Sequence, residues 1–371
     1  MPAVGEDDVV LPNQAAHLLS NLNAATGQQL WQDYPISSGS QPAIANGIAY
    51  VGDYELKAIN LSANTVIWQS AYLLYDGSPV LANGLVYDTS NVDGALDAFA
   101  AAGCGQPTCN PVWTYTPTGG FYGTPAVANG SIYLGGSQLT VLNATTGALE
   151  WTAAITSKET IQTTIVDNGV VYFVANSTYN GGTLYAFNAA GCGQVTCSPL
   201  WTAHNASGWG YSPAAAYGSV YIGGKDNTLS VFAEAGCGAA TCSPTWTGAA
   251  GGAVWSPPAI ANGVVYVASY YPGAALAFNA AGCGAASCQP LWTYRLSSYD
   301  VYLDAPLTIA NGVLYFSDDS GTLRAFHLPS SASRCPSTSG ARSSGARSSG
   351  GRSPGVVCTG VGQRAPVAAR R

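Results

Sequence analysis

Residues 258–294, PAIANGVVYVASYYPGAALAFNAAGCGAASCQPLWTY, alternate short apolar runs with turn residues, and versions of this stretch recur along almost the whole chain. Pro258-Ala259-Ile260 enters a first strand, and Asn262-Gly263 supplies a two-residue turn that favours φ > 0. Val264-Val265-Tyr266-Val267 is a β-branched and aromatic second strand. Ala275-Leu276-Ala277-Phe278 makes a third and Leu291-Trp292-Thr293-Tyr294 a fourth, with a cysteine-bearing loop between them. No part has helical spacing.

The turn repeats at Asn46-Gly47, Asn83-Gly84, Asn129-Gly130, Asn168-Gly169, Tyr217-Gly218 and Asn311-Gly312, and fourth strands recur at Trp31, Trp68, Trp113, Trp151, Trp201, Trp246 and Trp292. The chain starts inside the array, with Asp8-Val9-Val10-Leu11 as a second strand. It ends on an eighth unit, Val313-Leu314-Tyr315-Phe316 and Leu323-Arg324-Ala325-Phe326, that has no tryptophan. Eight antiparallel four-stranded units are expected, seven being the alternative, with the last unit missing its outer strand or borrowing it from the chain ends. One unit cannot bury its own faces, so the pattern predicts a closed all-β array.

Composition sharpens this picture in two places. Charged residues are only 8% of the chain, against about 25% in ordinary soluble domains, so any ion-rich site must be drawn from few groups. All nineteen acids precede residue 330, offset there only by Lys57, Lys158, Lys225, Arg295 and Arg324, whereas the remaining residues hold seven Arg and no acid. The body, residues 1–329, is therefore expected to repel nucleic acid. Residues 330–371, rich in Arg, Ser and Gly, read as a disordered tail, and a reading-frame error would produce the same abrupt switch. No apolar run is long enough for a transmembrane helix.

Cysteines fall as Cys104/Cys109, Cys192/Cys197, Cys237/Cys242 and Cys283/Cys288, each as Cys-Gly-x-x-x-Cys. Four local disulfides are expected. Zinc is the alternative, but it needs four ligands together, and these pairs sit on separate units with no histidine nearby. Lasting disulfides imply an oxidising, extracytoplasmic compartment, whereas the first residues lack the basic start and apolar run of a signal peptide. A truncated or misassigned start reconciles the two. Cys335 and Cys358 take no role.

Leu22-Asn23-Ala24-Ala25-Thr26-Gly27-Gln28-Gln29-Leu30-Trp31 and Leu142-Asn143-Ala144-Thr145-Thr146-Gly147-Ala148-Leu149-Glu150-Trp151 resemble the tryptophan-docking repeat of the pyrroloquinoline-quinone (PQQ) type β-propellers. Asn23, Asn143, Asn188 and Asn279 stand where that family has aspartate. The resemblance implies a quinoprotein-like propeller, and the strand count above makes it one of eight four-stranded blades, seven being the alternative. The fixed outer-strand place of Trp31, Trp68, Trp113, Trp151, Trp201, Trp246 and Trp292 makes blade-to-blade docking their expected role, with carbohydrate platforms as the alternative. The family includes dehydrogenases that hold PQQ and Ca2+ on the propeller axis, and propellers without a cofactor. Its dehydrogenases typically carry a disulfide of two adjacent cysteines, and no Cys-Cys dipeptide is present here, so no catalytic residue is carried over.

In a four-stranded meander the disulfide loops share one face, while blade-to-blade links and second-to-third-strand loops share the other. That second face is expected to collect Tyr75, Asp76, Tyr122, Lys158, Glu159, Trp209, Tyr211, Trp255, Tyr302 and Asp304, a candidate ligand mouth. The alternative is that these groups merely fill a channel entrance. His17, His204 and His327 are isolated, so Ser/His/Asp catalysis is not expected; Asp318-Asp319 is a weak candidate for calcium. The expected function is a monomeric, noncatalytic binding or scaffold module for a protein or glycan. A PQQ- and Ca2+-dependent alcohol or sugar dehydrogenase and a carbohydrate-binding propeller are the alternatives.

Overall fold

The computed structural model describes residues 3–328 apart from 6, 14–16, 37–40, 72–77, 91–92, 118–120, 122–123, 156–159, 178–180, 297–301, 304–305 and 319–321. The expected tail lies outside the described residues, as do Tyr75, Asp76, Tyr122, Lys158, Glu159, Asp304 and Asp319.

The chain folds into an eight-bladed β-propeller, each blade an antiparallel sheet whose strands follow one another in chain order. Blade 2, for example, runs Ala43–Ala45, Ile48–Gly52, Leu56–Asn60 and Thr65–Ser70. The first strands pack side by side from blade 1 to blade 8, and the eighth, Thr308–Ala310, packs back on the first, Ala3–Gly5, so the ring is closed. Blade 8 shows three strands among the described residues. The described residues form no helix, hence none long and apolar enough to cross a membrane.

Local chemistry sets each blade. Asn46 and Gly47 sit at φ 52° and 69°, the left-handed region that a two-residue hairpin turn requires. In blade 6 Tyr217 takes the same conformation at φ 54°. Asn23 and Asn143 cap the turn after their third strands, Asn23 Oδ1 accepting from the Ala25 and Thr26 amides at 3.1 and 2.9 Å. Second strands other than that of blade 3, which carries Asp88, are largely apolar on both faces because each sheet is sandwiched. Tyr50 packs with Val86 and Phe99 of blade 3, while Ala49 and Val51 pack with Val10 and Leu19 of blade 1.

Blades are joined by two repeated devices. In six blades a second-strand tyrosine donates its hydroxyl to the carbonyl that follows the third strand of the next blade. The bonds are Tyr50 to Ala101, Tyr87 to Ala144, Tyr133 to Ala189, Tyr172 to Glu234, Tyr221 to Ala280 and, across the ring closure, Tyr315 to Ala24. The fourth-strand indoles also reach forward. Trp31, Trp68 and Trp201 donate to Leu61, Ala101 and Glu234, and Trp68 and Trp201 pack closely against Gly103 and Gly236 of the next blade. A Cβ on Gly236 would stand 2.6 Å from Trp201 Cδ1, so no larger residue fits there.

All four expected disulfides form, Cys104–Cys109, Cys192–Cys197, Cys237–Cys242 and Cys283–Cys288, each with Cα atoms 5.7 Å apart. Their loops cross to the preceding blade and pair in parallel with its outer strand. Thr108 and Cys109 lie beside Gln69 and Ser70, Thr196 and Cys197 beside Thr152 and Ala153, and Ser287 and Cys288 beside Thr247 and Gly248. Thr241 bridges Thr202 in the same way. Each loop thus clasps a boundary and covers an edge that would otherwise offer unpaired backbone groups.

Candidate ligand-binding face

The links between blades and the second-to-third-strand loops lie on the face opposite the clasps. The link after blade 5 is fixed by Asn176, whose side chain accepts from the Trp209 amide at 2.9 Å and donates to its carbonyl at 3.2 Å. Trp209 is consequently buried, 2% exposed, with its ring edge-on to Phe232 at 5.9 Å. The expectation of Trp209 as a ring presented to a ligand is therefore corrected: it packs inside the boundary of blades 5 and 6.

Beyond Trp209 the link turns outward. Gly210 allows close approach to the next link, since a Cβ there would meet the carbonyl oxygens of Val254 and Trp255 at 2.7 and 2.8 Å. The Tyr211 amide then donates to the Trp255 carbonyl at 2.8 Å, and the Tyr270 amide to Ala253 at 2.8 Å. These backbone bonds align a continuous run of rings. Tyr211 and Trp255 centroids are 5.8 Å apart, Trp255 and Tyr270 5.7 Å, Tyr270 and Tyr302 4.9 Å, and Tyr302 and Tyr271 6.0 Å. Lys225 Nζ lies 5.2 Å from the Trp255 ring centre, a cation–π contact.

Tyr211 and Tyr271, 41% and 52% exposed, open the two ends of this run to solvent. Trp255, Tyr270 and Tyr302 are half-buried between them, and the Trp255 Nε1 donor has no partner. The structure thus brings together Tyr211, Trp255 and Tyr302 from the expected set. It adds Tyr270, Tyr271 and Lys225, which belong to the second-to-third-strand loops already assigned to this face. Asp318, considered for calcium, is instead paired with Arg324.

The family described as outer membrane protein assembly factor BamB matches residues 92–195. The BamB of Moraxella catarrhalis superposes with a TM-score of 0.67 at 16% identity, covering 88% of this chain and 96% of that one. The computationally designed Ika8 protein gives 0.64 at 12% identity, over 88% and 95% of the two chains. A europium-containing methanol dehydrogenase gives 0.57 at 12% identity, over 77% and 75%. The chain is a PQQ-repeat-like β-propeller. Among curated proteins no sequence matches it.

This propeller's described residues do not fit PQQ with its metal. The first strands, which line the axis, read Ala-Ile-Ala in blades 2 and 7 and Ala-Ala-Ala in blade 6. Their single ionisable residue, Asp167, lies beside the Asn168-Gly169 turn on the clasp face. Each disulfide joins cysteines five positions apart at the outer edge, so none can stack on a quinone at the axis.

Proposed function

We propose that this propeller is an extracytoplasmic, noncatalytic binding or scaffold module, with residues 1–329 as its folded body and the link face as its ligand mouth. The observation that carries the reading is the run of rings from Tyr211 through Trp255, Tyr270 and Tyr302 to Tyr271, open at both ends and set on backbone bonds between links. Aromatic surfaces with a polar tip, placed where links converge, bind without chemistry. Four disulfides suit an oxidising compartment. The fold shared with BamB supports a scaffold role by analogy, and the fourth-strand tryptophans serve in this reading as interblade docking residues.

A glycan is the ligand class the exposed Tyr211 and Tyr271 rings favour over a cofactor, since the C–H faces of a sugar stack on them and Lys225 supplies a donor. Calorimetry of the oxidised protein with PQQ, with and without Ca2+, gives no heat in this reading. Titration with neutral oligosaccharides changes tryptophan fluorescence, and the change is lost in Trp255→Ala. Calcium-dependent PQQ binding at micromolar concentration overturns the noncatalytic reading in favour of a dehydrogenase.

A further inference from the structure

Blade 3 breaks a rule that the other tyrosine-bearing blades keep. The residue after the second-strand tyrosine points back into the preceding blade boundary, and it is Val51, Leu134, Phe173, Ile222, Val267 or Phe316, each buried. In blade 3 it is Asp88, fully buried. Its cross-strand partner is Asp97, 5% exposed, whereas the corresponding partners elsewhere are never acidic. Directly opposed like charges destabilise a ladder, and burial in a low dielectric enlarges that cost.

Nothing described neutralises the pair. Asp97 accepts from Thr114 Oγ1 at 2.5 Å, and Asp88 Oδ1 accepts from the Thr89 amide at 2.8 Å, but Asp88 Oδ2 has no hydrogen-bond partner among the described residues. The described basic side chains are committed elsewhere or remote. Lys57 spans Asp53 and Glu55, Lys225 lies over Trp255, Arg324 pairs with Asp318, and Arg295 is on the exposed outer edge of blade 7. A buried carboxylate oxygen with no donor marks a missing positive partner. The donors gathered here are all oxygen, the set that hard cations select.

We propose that Asp88 and Asp97 hold a hard divalent cation, Ca2+, at the boundary of blades 2 and 3. The two carboxylates balance its charge, the Asp88 oxygen without a partner becomes a ligand, and the ion ties the second and third strands of blade 3 together. This site is separate from the axis and independent of the aromatic face.

The test is thermal unfolding of the chelator-stripped, full-length oxidised protein with and without about 1 mM Ca2+, paired with terbium luminescence sensitised by tyrosine. Ca2+ is expected to raise Tm by at least about 3 °C and to compete terbium off a single site. Asp88→Asn and Asp97→Asn, which remove the repulsion and so fold, are expected to lose both responses. No Ca2+ shift in the wild type, or an equal shift in Asp88→Asn, overturns the proposal. A shared proton is the rival. Burial first, and Asp97 to a smaller degree, push Asp88 up to about 8, so protonation stabilises the fold at low pH and that contribution is lost as pH rises through about 8. A Tm that falls along that window and ignores Ca2+ assigns the pair to a proton and overturns the cation.

Discussion

The boundary between blades 5 and 6 and the seam between blades 8 and 1 are built from one repeat but are held by different amounts of structure. At the first, Trp201 and Tyr172 both donate to the Glu234 carbonyl, the indole lies on Gly236, and the Cys237–Cys242 loop pairs with Thr202. At the seam, Tyr315 donates to Ala24 and packs with Val9 and Leu22, and no disulfide loop among the described residues crosses it. Closure and rigidity are therefore separate properties of the ring. The tyrosine bond recurs at six boundaries, the seam included, whereas the clasps among the described residues add stability at the boundaries of blades 2/3, 4/5, 5/6 and 6/7. The seam is where opening is expected to start, since local opening follows the fewest buried contacts.

The largest break in this comparison comes from Trp201→Ala. Trp201 is 3% exposed and lies in the cluster that joins blades 5 and 6. Its loss is expected to cost about 3–5 kcal/mol, read as a lower denaturant midpoint at unchanged slope. Gly236→Ala attacks the same contact from the other side. Its φ of +75° disfavours any side chain, and the new Cβ meets the indole, so a loss of about 1–3 kcal/mol is expected from chemical denaturation. If both variants unfold like the wild type, the docking of Trp201 is not what holds the clasped boundary.

Cutting one clasp is a smaller change. Cys237→Ser with Cys242→Ser opens a loop whose cysteines lie five positions apart, worth about 2 kcal/mol on the chain-entropy account. The loop also loses its hold on the outer strand of blade 5. Backbone amide exchange at 201–205 is expected to quicken in the double variant while the seam stays as it was. Unchanged exchange there would mean that the parallel pairing, rather than the disulfide, holds the edge.

How much of this was legible in the sequence follows the range of the contacts. Asn46-Gly47 and its repeats, the Val-Tyr-Val second strands and the Cys-Gly-x-x-x-Cys loops are local signals, and they led to the eight blades and four disulfides that the fold contains. The partner of each disulfide loop was not legible, because Thr108 and Cys109 pair with residues Gln69 and Ser70 of another blade. Trp209 looked like a presented ring because its position in a link was visible but the Asn176 side chain that buries it was not. Lys225 and Tyr270 lay in a loop class already placed on the right face, so the signal for them was present. Asp88 also left a mark that could be read, a lone acid in a strand position that is otherwise apolar.

The smallest expected effect is also the sharpest test, because it deletes the same atom at both places. Tyr172→Phe removes a 3.3 Å bond to the Glu234 carbonyl, yet that oxygen keeps the Trp201 indole as a donor at 3.2 Å. Tyr315→Phe removes a 3.1 Å bond to the Ala24 carbonyl, where no indole shares the acceptor. A part-buried acceptor left without its donor costs more than one that is still served, so the seam variant is expected to lose about 1 kcal/mol and the clasped one about half of that or less. The location of the response matters as much as its size. Tyr315→Phe should raise amide exchange in both terminal blades, at 18–23 and 313–317, because opening the seam exposes the two together, while Tyr172→Phe should leave exchange at 228–233 at the wild-type rate. Equal losses from the two substitutions, or a seam response confined to one blade, would show that the ring distributes its stability evenly and that the clasps do not decide where it opens.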